Sequence, residues 1–356
     1  MGSVRTLLAI AVVFNHSYGF VFVGGQLAVQ LFYIISGFLI SYIILEAKTY
    51  RSVSSFYTNR LLRLFPIYWS VALATLIAIF FANIIFNETH PVFSTFESLS
   101  LGGRLSLFFS NLFLFGQDWI MFTGVRDGEF QFVTDFSDSE ILVWRGLLVP
   151  QAWTLGVELS FYLIAPFVLI RKNLLIVLLV CSLLLRAYLI YIGLGLKDPW
   201  TYRFFPTELA LFLLGACSHQ FLMPLYEKKG VLSDTLYTPM TLLIFLYCSL
   251  FFLLPYRMLN TFLLITLFIF SLPYLFKFQS KNRWDSKIGD LSYPIYISHM
   301  LIIWIAGYLL SKFGIDYKSI AGSSIIILLT VFVSYFLNLS IGQFIEKYRL
   351  KIKAHQ

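Results

Sequence analysis

The 356-residue chain is 59% hydrophobic and only 12% charged, with a mean hydropathy of +0.81, which excludes an ordinary soluble domain and is typical of a polytopic membrane protein. Its net charge of +8 does not indicate a nucleic-acid partner, because the cations gather in short loops between apolar runs, where they set membrane topology. The three cysteines, Cys181, Cys217 and Cys248, lie within or near apolar runs and have neither a disulfide framework nor metal-ligand spacing. We therefore expect a protein embedded in a lipid bilayer, with no metal site.

Ten apolar runs predict an all-α, polytopic bundle, because each is close to the roughly 20 residues that a helix needs to cross a bilayer. The predicted helices occupy residues 3–22, 27–45, 66–86, 151–170, 173–192, 205–222, 238–256, 258–276, 288–310 and 320–343. Most Lys and Arg residues fall on the side of the N-terminus, including Lys48, Arg51 and the basic tail at 347–353. The positive-inside rule therefore predicts that both termini are cytoplasmic.

The segment near 100–122 is apolar, but we do not interpret it as an eleventh span. It carries Asn111, Gln117 and Asp118, and an acidic loop follows it. A span here would reverse every later helix and would place the basic pair at 171–172 outside, against the charge rule. We therefore predict a re-entrant or interfacial segment within one membrane-embedded domain, 1–356, that has no separate soluble domain.

The first apolar run begins with a cation, Arg5, and carries an imidazole, His16, near its other end. Eleven residues are almost a whole number of helical turns, so both side chains share one face and lie about 16 Å apart along the helix axis. Ionisable groups inside a membrane span usually face a bundle interior or a wet cavity, which favours a functional role for His16. Arg5 is as well explained by a positive-inside anchor as by function.

Depth along the helices predicts a carboxylate at the level of His16. On the predicted bounds His16 lies about 9 Å from the outer end of its helix, and Glu158 lies about 10 Å below the same surface. A carboxylate that binds an imidazole fixes its tautomer and stabilises its protonated form, as a general base requires. Arg186 has a similar depth on the next span, but a structural ion pair with Glu208 would also explain it.

Arg60 and Arg63 lie one helical turn apart on a short amphipathic helix that we expect to end at Pro66. Two arginines at this spacing repel each other unless an anion lies between them. Lipid headgroups would satisfy them, and so would a phosphorylated cosubstrate, because the guanidinium fork matches phosphate geometry. Arg5 would open on the same side of the membrane.

His299 falls about mid-membrane in the run GDLSYPIYISHMLII. Pro294 and the nearby serine hydroxyls could loosen its helix locally, which membrane helices tolerate when neighbours satisfy the freed backbone groups. A ligand-lining role and a packing role are equally compatible with this pattern.

Five motifs in order resemble those of the integral-membrane acyltransferase 3 family of O-acetyltransferases. The matching positions are Arg5, Ala9 and His16 in RTLLAIAVVFNH, Ser36, Gly37, Phe38 and Leu39 in the second helix, Arg60, Arg63 and Pro66 in NRLLRLFPIYW, Trp153 and Glu158 in WTLGVELSFYLIAP, and the run LSYPIYISH that ends at His299. Asn59 stands where a third Arg is frequent, Thr154 where Ser is usual, and Gln30 where an acidic residue is frequent.

The resemblance implies an enzyme of the bacterial inner membrane that moves an acetyl group from cytoplasmic acetyl-CoA to a sugar hydroxyl on the other side. It implies that Arg5, Arg60 and Arg63 hold the CoA phosphates and that His16, supported by Glu158, is the general base. A transient acetyl-histidine is the alternative mechanism. The residues expected to bind substrate are Trp153, Arg186, His299 and Ser36.

The acceptor implied by the resemblance is a surface polysaccharide, such as an exopolysaccharide or an O-antigen, or its lipid-linked precursor. A different class of protein, a transporter or flippase for a lipid-linked or anionic sugar, also fits ten spans with charged residues inside them. The matched halves and broken-helix pairs of many transporters are not evident in this sequence. Consumption of acetyl-CoA in the presence of a glycan distinguishes the two classes.

Overall fold

The computed structural model describes residues 1–47, 50, 52–86 and 90–354, without the side chains of residues 86, 196 and 352–354. Lys48 and Arg51, which contributed to the predicted charge asymmetry, lie outside the described residues. The helices are α1 Gly2–Ser17, α2 Gly24–Leu45, α3 Val53–Phe86, α4 Pro91–Ser98, α5 Leu101–Phe113, α6 Gln117–Ile120, α7 Trp153–Val168, α8 Lys172–Tyr191, α9 Phe205–Cys217, α10 Met223–Lys228, α11 Asp234–Leu250, α12 Arg257–Lys281, α13 Arg283–Gly289, α14 Ser292–Lys312, α15 Ile320–Leu337 and α16 Gln343–Ala354. Strands β1 Thr123–Arg126 and β2 Glu129–Phe132 form an antiparallel hairpin.

Eight helical stretches among the described residues are long and apolar enough to cross a membrane, which confirms the predicted all-α polytopic bundle. The remaining two predicted helices correspond to α1 and α7, which have 16 residues each. Sixteen residues span only about 24 Å, less than the roughly 30 Å of a bilayer core. Both short helices are largely buried in the bundle, where α1 packs against α2, α13 and α14.

The predicted helix end at Pro66 is wrong, because α3 runs without interruption from Val53 to Phe86. A proline inside a helix lacks the N–H that would bind the preceding turn, and membrane helices tolerate this when neighbouring groups satisfy the backbone. Side chains also bind the backbone close to this proline: the Tyr293 hydroxyl of α14 donates to the Leu64 carbonyl at 2.5 Å, and the Ser70 hydroxyl donates to the Pro66 carbonyl at 2.7 Å. Arg60 and Arg63 therefore lie on the same helix as the third span.

Helices α2 and α9 approach each other at two glycines. A Cβ atom on Gly37 would lie 1.8 Å from the Phe212 carbonyl oxygen, and one on Gly215 would lie 1.9 Å from the Ile34 carbonyl oxygen. Small residues at such a crossing let two backbones pack directly, which is a main source of helix association in membranes. This crossing fixes α2, which carries Ser36 toward the interior of the bundle.

The segment near 100–122 contains no helix long enough to cross a membrane, because its helices α5 and α6 have 13 and 4 residues, and the predicted re-entrant or interfacial placement is compatible with these lengths. Helix α5 exposes a stripe of large apolar side chains, which are Leu105, Phe108, Phe109, Leu112 and Phe113. Asn111 attaches the opposite face to the protein: its amide donates to the Gly146 carbonyl at 3.1 Å and accepts from the Leu148 N–H at 2.8 Å. Gln117 donates to the Tyr68 hydroxyl of α3 at 2.9 Å.

Asp118 of this segment is buried against α7. It is 2% exposed, and its Oδ1 atom would lie 2.5 Å from a Cβ atom on Gly156. Burial raises the pKa of the carboxyl to about 7, although the N–H groups of Asp118 and Trp119 oppose the shift. Between its ordinary pKa near 4 and about 7, the folded protein therefore binds a proton that the unfolded chain has released.

We expect this proton to make stability fall as the pH rises through that window, because charging Asp118 in the folded state is unfavourable. Asp118→Asn removes the charge and should melt about 5 °C or more above the wild type at pH 8, with a smaller difference at pH 5. Melting in detergent, followed by tryptophan fluorescence, measures the difference. Asp138→Asn, at an exposed position, is the control, and parallel curves for the wild type and Asp118→Asn would contradict the expectation.

Candidate active site

A cavity opens near the beginning of α1, and we call it the arginine chamber; it encloses about 760 Å³ when the part open to solvent is included. Its wall comes from α1, α2, α3, α7 and α14. The polar residues that line it are Arg5, Tyr33, Ser36, Arg60, Arg63, Thr154, Glu158, Tyr162, Ser292, Tyr293 and Tyr296. Three guanidinium groups and one carboxylate share this wall, so the chamber favours an anionic ligand.

Glu158 is the acidic residue of the arginine chamber. Its Oε1 atom accepts hydrogen bonds from the Ser36 hydroxyl at 2.8 Å and from the Tyr162 hydroxyl at 2.5 Å. The Ser36 bond links α2 to α7, the Tyr162 bond lies within α7, and together they orient the carboxylate within the wall.

The chamber arginines have few acceptors of their own. Arg60 is 3% exposed; its Nη2 donates to the Tyr50 hydroxyl and to the Asn59 Oδ1, and its Nε has no partner. Arg5 and Arg63 interact electrostatically with each other, and within the described part of the chain neither side chain has a hydrogen-bond acceptor. A buried donor without an acceptor, such as the Arg60 Nε, is costly, and the partly exposed Arg5 and Arg63 repel each other, so an anion with several oxygens would stabilise all three.

Two imidazoles meet at the other end of α1. His16 lies in the last turn of α1, and its ring centroid is 5.2 Å from that of His299 in α14, with an angle of 31° between the planes. His299 is fully buried, whereas His16 is exposed. The Nδ1 atom of His299 lies 2.7 Å from the Tyr296 carbonyl oxygen. Because a carbonyl can only accept, Nδ1 carries the proton and the unpartnered Nε2 atom is a free acceptor.

Arg203 lies next to this histidine pair and is a site residue that our sequence analysis did not select. Its guanidinium stacks 4.3 Å from the Trp153 ring centroid, binds both oxygens of Asp198 at 2.7 and 2.8 Å, and interacts electrostatically with His16. Burial lowers the pKa of Arg203, but the bonds and charge of Asp198 outweigh this, so the net pKa is raised and the residue stays cationic. The aromatic loop DPWTYRFFP around it was the available signal.

Tyr296 separates the histidine pair from the arginine chamber. Its ring lines the chamber, and the ring centroid is 5.9 Å from that of His299. The Tyr296 hydroxyl accepts from the Thr154 hydroxyl at 3.0 Å and donates to the Gln151 carbonyl at 3.1 Å. The Tyr296 side chain therefore borders both the cationic cavity and the histidine pair.

The expected bond between Glu158 and His16 is wrong for this structure. No hydrogen bond or ion pair joins the two residues in the described ranges, and Glu158 belongs to the arginine chamber. The reason is that α1 ends at Ser17, directly after His16, rather than near residue 22. Glu158 lies five residues into α7, about 7.5 Å along the axis, so the two side chains are at different depths.

The residues expected to bind substrate fall in three places. Ser36 lies in the arginine chamber, whereas His299 and Trp153 lie with His16 and Arg203. Arg186 binds Glu208 at 3.2 Å and the Thr201 carbonyl at 2.8 Å, the ion pair that the sequence left as an alternative. Its bonds link α8 to α9 and to the loop before α9.

A polytopic bundle with a cationic chamber behind a pair of imidazoles has the features of an integral-membrane enzyme. The family model described as "Acyltransferase domain", of the acyltransferase 3 family, matches residues 2–339. The chain belongs to this family and is a membrane acyltransferase. An uncharacterized protein of Aquifex aeolicus (strain VF5) is 25% identical over 213 residues, which cover 57% of this chain and 90% of the relative. No solved structure matches the chain significantly.

Proposed function

We propose that this protein transfers the acetyl group of acetyl-CoA to a hydroxyl of a surface polysaccharide, or of its lipid-linked precursor, in the bacterial inner membrane. The observation that carries the proposal is the arrangement of two sites along α1, an anion-binding chamber at its beginning and an exposed histidine at its end. A donor that is a polyanion at one end and a thioester at the other fits this arrangement, with its polyanionic end in the chamber and its thioester near His16.

The donor would enter the arginine chamber from the cytoplasm, where the positive-inside rule puts both termini. Arg5, Arg60 and Arg63 would bind its phosphates, because guanidinium groups match phosphate oxygens in charge and geometry. The pantetheine arm would then extend along α1. The distance from Arg5 to His16 along an ideal helix is about 16 Å, a span that the arm can cover once Tyr296 turns aside.

His16 would act as the general base at the far end. Its imidazole takes the proton of the acceptor hydroxyl while the hydroxyl oxygen attacks the acetyl carbonyl carbon. The new C–O bond forms, the C–S bond breaks, and the imidazolium returns the proton to the thiolate, so that CoA leaves as a thiol. His299 would hold the His16 ring by stacking, and Trp153 with Arg203 would bind the sugar.

Glu158 would have a structural role in the chamber, whereas its motif suggested that it supports the general base. With Ser36 and Tyr162 it would order the chamber wall and balance part of its positive charge, rather than assist the base. A transient acetyl-histidine remains an alternative course for the same residues, and a rapid quench followed by mass spectrometry of the protein distinguishes the two.

The test combines purified protein in lipid nanodiscs with acetyl-CoA and candidate glycans. We expect thiol release that depends on the glycan, together with a mass increase of one acetyl group on surface glycans from cells that carry the protein. Cells without it provide the control. Movement of the glycan across the membrane without thiol release would contradict the proposal and would favour a transporter.

A further inference from the structure

We propose that the C-terminal helix α16 completes the donor site, and that Asn59, Arg60 and Arg349 together bind the phosphate monoester at the nucleotide end of the donor. We call these three residues the phosphate socket. The inference rests on the proposed function and extends it to a helix that lies beyond residues 2–339, the part matched by the family model.

The geometry of the phosphate socket is unusual for a purely structural contact. The single Oδ1 atom of Asn59 accepts from Arg60 Nη2 at 3.0 Å, from Arg349 Nε at 3.2 Å and from Arg349 Nη2 at 3.1 Å. Two cationic groups thus share one neutral oxygen, although an amide oxygen has only two lone pairs. Like charges this close repel each other, and a phosphate bound between them would reverse the sign of that energy.

Unused donors point to the same ligand. Asn59 is completely buried and Arg60 is 3% exposed, yet Asn59 Nδ2 and Arg60 Nε have no hydrogen-bond partner. Leaving buried donors unsatisfied costs free energy. A phosphate offers several acceptor oxygens that can satisfy N–H groups from more than one residue.

The surrounding charges are mostly positive. Arg349 interacts electrostatically with Arg60 and Arg63, and Arg63 interacts with Arg5. The acidic groups near the socket are Glu346, which binds Arg349 one turn away, and Asp290, which interacts with Arg5, Arg63 and Arg349. Among the residues that the structure describes, four guanidiniums against these two carboxylates and Glu158 leave a net positive charge that a further anion would balance.

The positions of Arg5 and Arg349 relative to the chamber indicate which phosphate of the donor Arg349 would bind. Arg5 lines the arginine chamber from α1, where the pantetheine arm would start, whereas Arg349 meets Arg60 at Asn59, and neither Asn59 nor Arg349 is among the described residues that line the chamber. The phosphate farthest from the thioester, the 3′-phosphate of CoA, would therefore meet Arg349. A phospholipid headgroup carries the same chemistry, and the experiment below separates the two sources.

Binding of CoA and of 3′-dephospho-CoA to the protein in nanodiscs tests the socket. The wild type should bind CoA about tenfold to a hundredfold more tightly than 3′-dephospho-CoA, as expected for charge-assisted hydrogen bonds. Arg349→Gln should abolish this preference by weakening CoA binding alone, with a raised KM and an unchanged kcat. Lys347→Gln, an exposed neighbour on the same helix, is the control and should keep the preference.

Asn59→Asp is a second variant that keeps the shape of the socket. Its carboxylate would bind both arginines and offset one of their two positive charges, so the protein should melt no lower than the wild type but lose the preference for CoA. Retention of the preference in Arg349→Gln or Asn59→Asp would overturn the inference. Equal weakening for both ligands would also overturn it, because it would indicate a structural role.

The lipid of the nanodisc provides the remaining comparison. If Arg349 bound a headgroup, its replacement would alter CoA affinity only in anionic lipid and not in zwitterionic lipid, and this outcome would overturn the inference. Failure of the wild type to bind CoA at all would instead reject the proposed function. Tight binding of CoA without discrimination against 3′-dephospho-CoA would reject the socket alone.

Discussion

Replacing His16 with alanine is expected to lower acetyl transfer by about a hundredfold to ten-thousandfold, the usual contribution of a positioned general base. The affinity for CoA should change less than about twofold, because the arginine chamber does not include His16 and Tyr296 stands between them. Thiol release with a glycan acceptor measures the first quantity, and equilibrium binding of CoA to the purified protein measures the second.

A second histidine outside the pair provides the control for this experiment. The His90 ring contacts the Trp304 ring edge-to-face, with 4.8 Å between the centroids, so His90→Ala removes an imidazole without touching the proposed site and should retain activity. Full activity of His16→Ala would remove this residue from the mechanism. Loss of CoA binding together with activity would show that His16 supports the fold or the donor site rather than the chemistry.

The spacing of Arg5 and His16 was the most informative feature of the sequence. One helical face connects the two residues whatever the exact ends of the helix are, so this inference needed no tertiary information. The depth comparison with Glu158 did require the helix end, and the apolar residues 20–23, FVFV, extended the predicted span beyond it. The chain leaves the helix there through positive φ angles at Gly19 and Phe22, which hydropathy does not reveal.

Hydrophobic periodicity in the sequence does not predict contacts between segments that are far apart in the chain. Asn59 and Arg349 are 290 residues apart in sequence, and the basic tail indicated only membrane sidedness. The role of His299 was left open between ligand and packing, because nothing local says which ring it meets. The structure supplies that contact, and with it the reason why the buried tautomer of His299 is defined.

Gly37→Ala is the substitution from which we expect the largest loss of stability. The added methyl group would lie 1.8 Å from the Phe212 carbonyl oxygen, which belongs to the backbone and cannot move without shifting α9. Overpacking of this kind costs about 1–3 kcal/mol or more, so the protein should melt well below the wild type or fail to purify as a monodisperse species. Gly215 lies on α9 at the same crossing, so Gly215→Ala should lower the melting temperature in the same way.

A matched control exists in α5, where a Cβ atom on Gly102 meets nothing within 4 Å. Gly102→Ala should be neutral or slightly stabilising, because alanine loses less backbone entropy than glycine when a helix forms. Size-exclusion profiles and melting curves in one detergent compare the three variants. If Gly37→Ala melted at the same temperature as Gly102→Ala, the close approach of α2 and α9 would not contribute to the stability of the protein. The position of Ser36, and with it the hydrogen bond that orients Glu158 in the arginine chamber, would then not depend on this crossing.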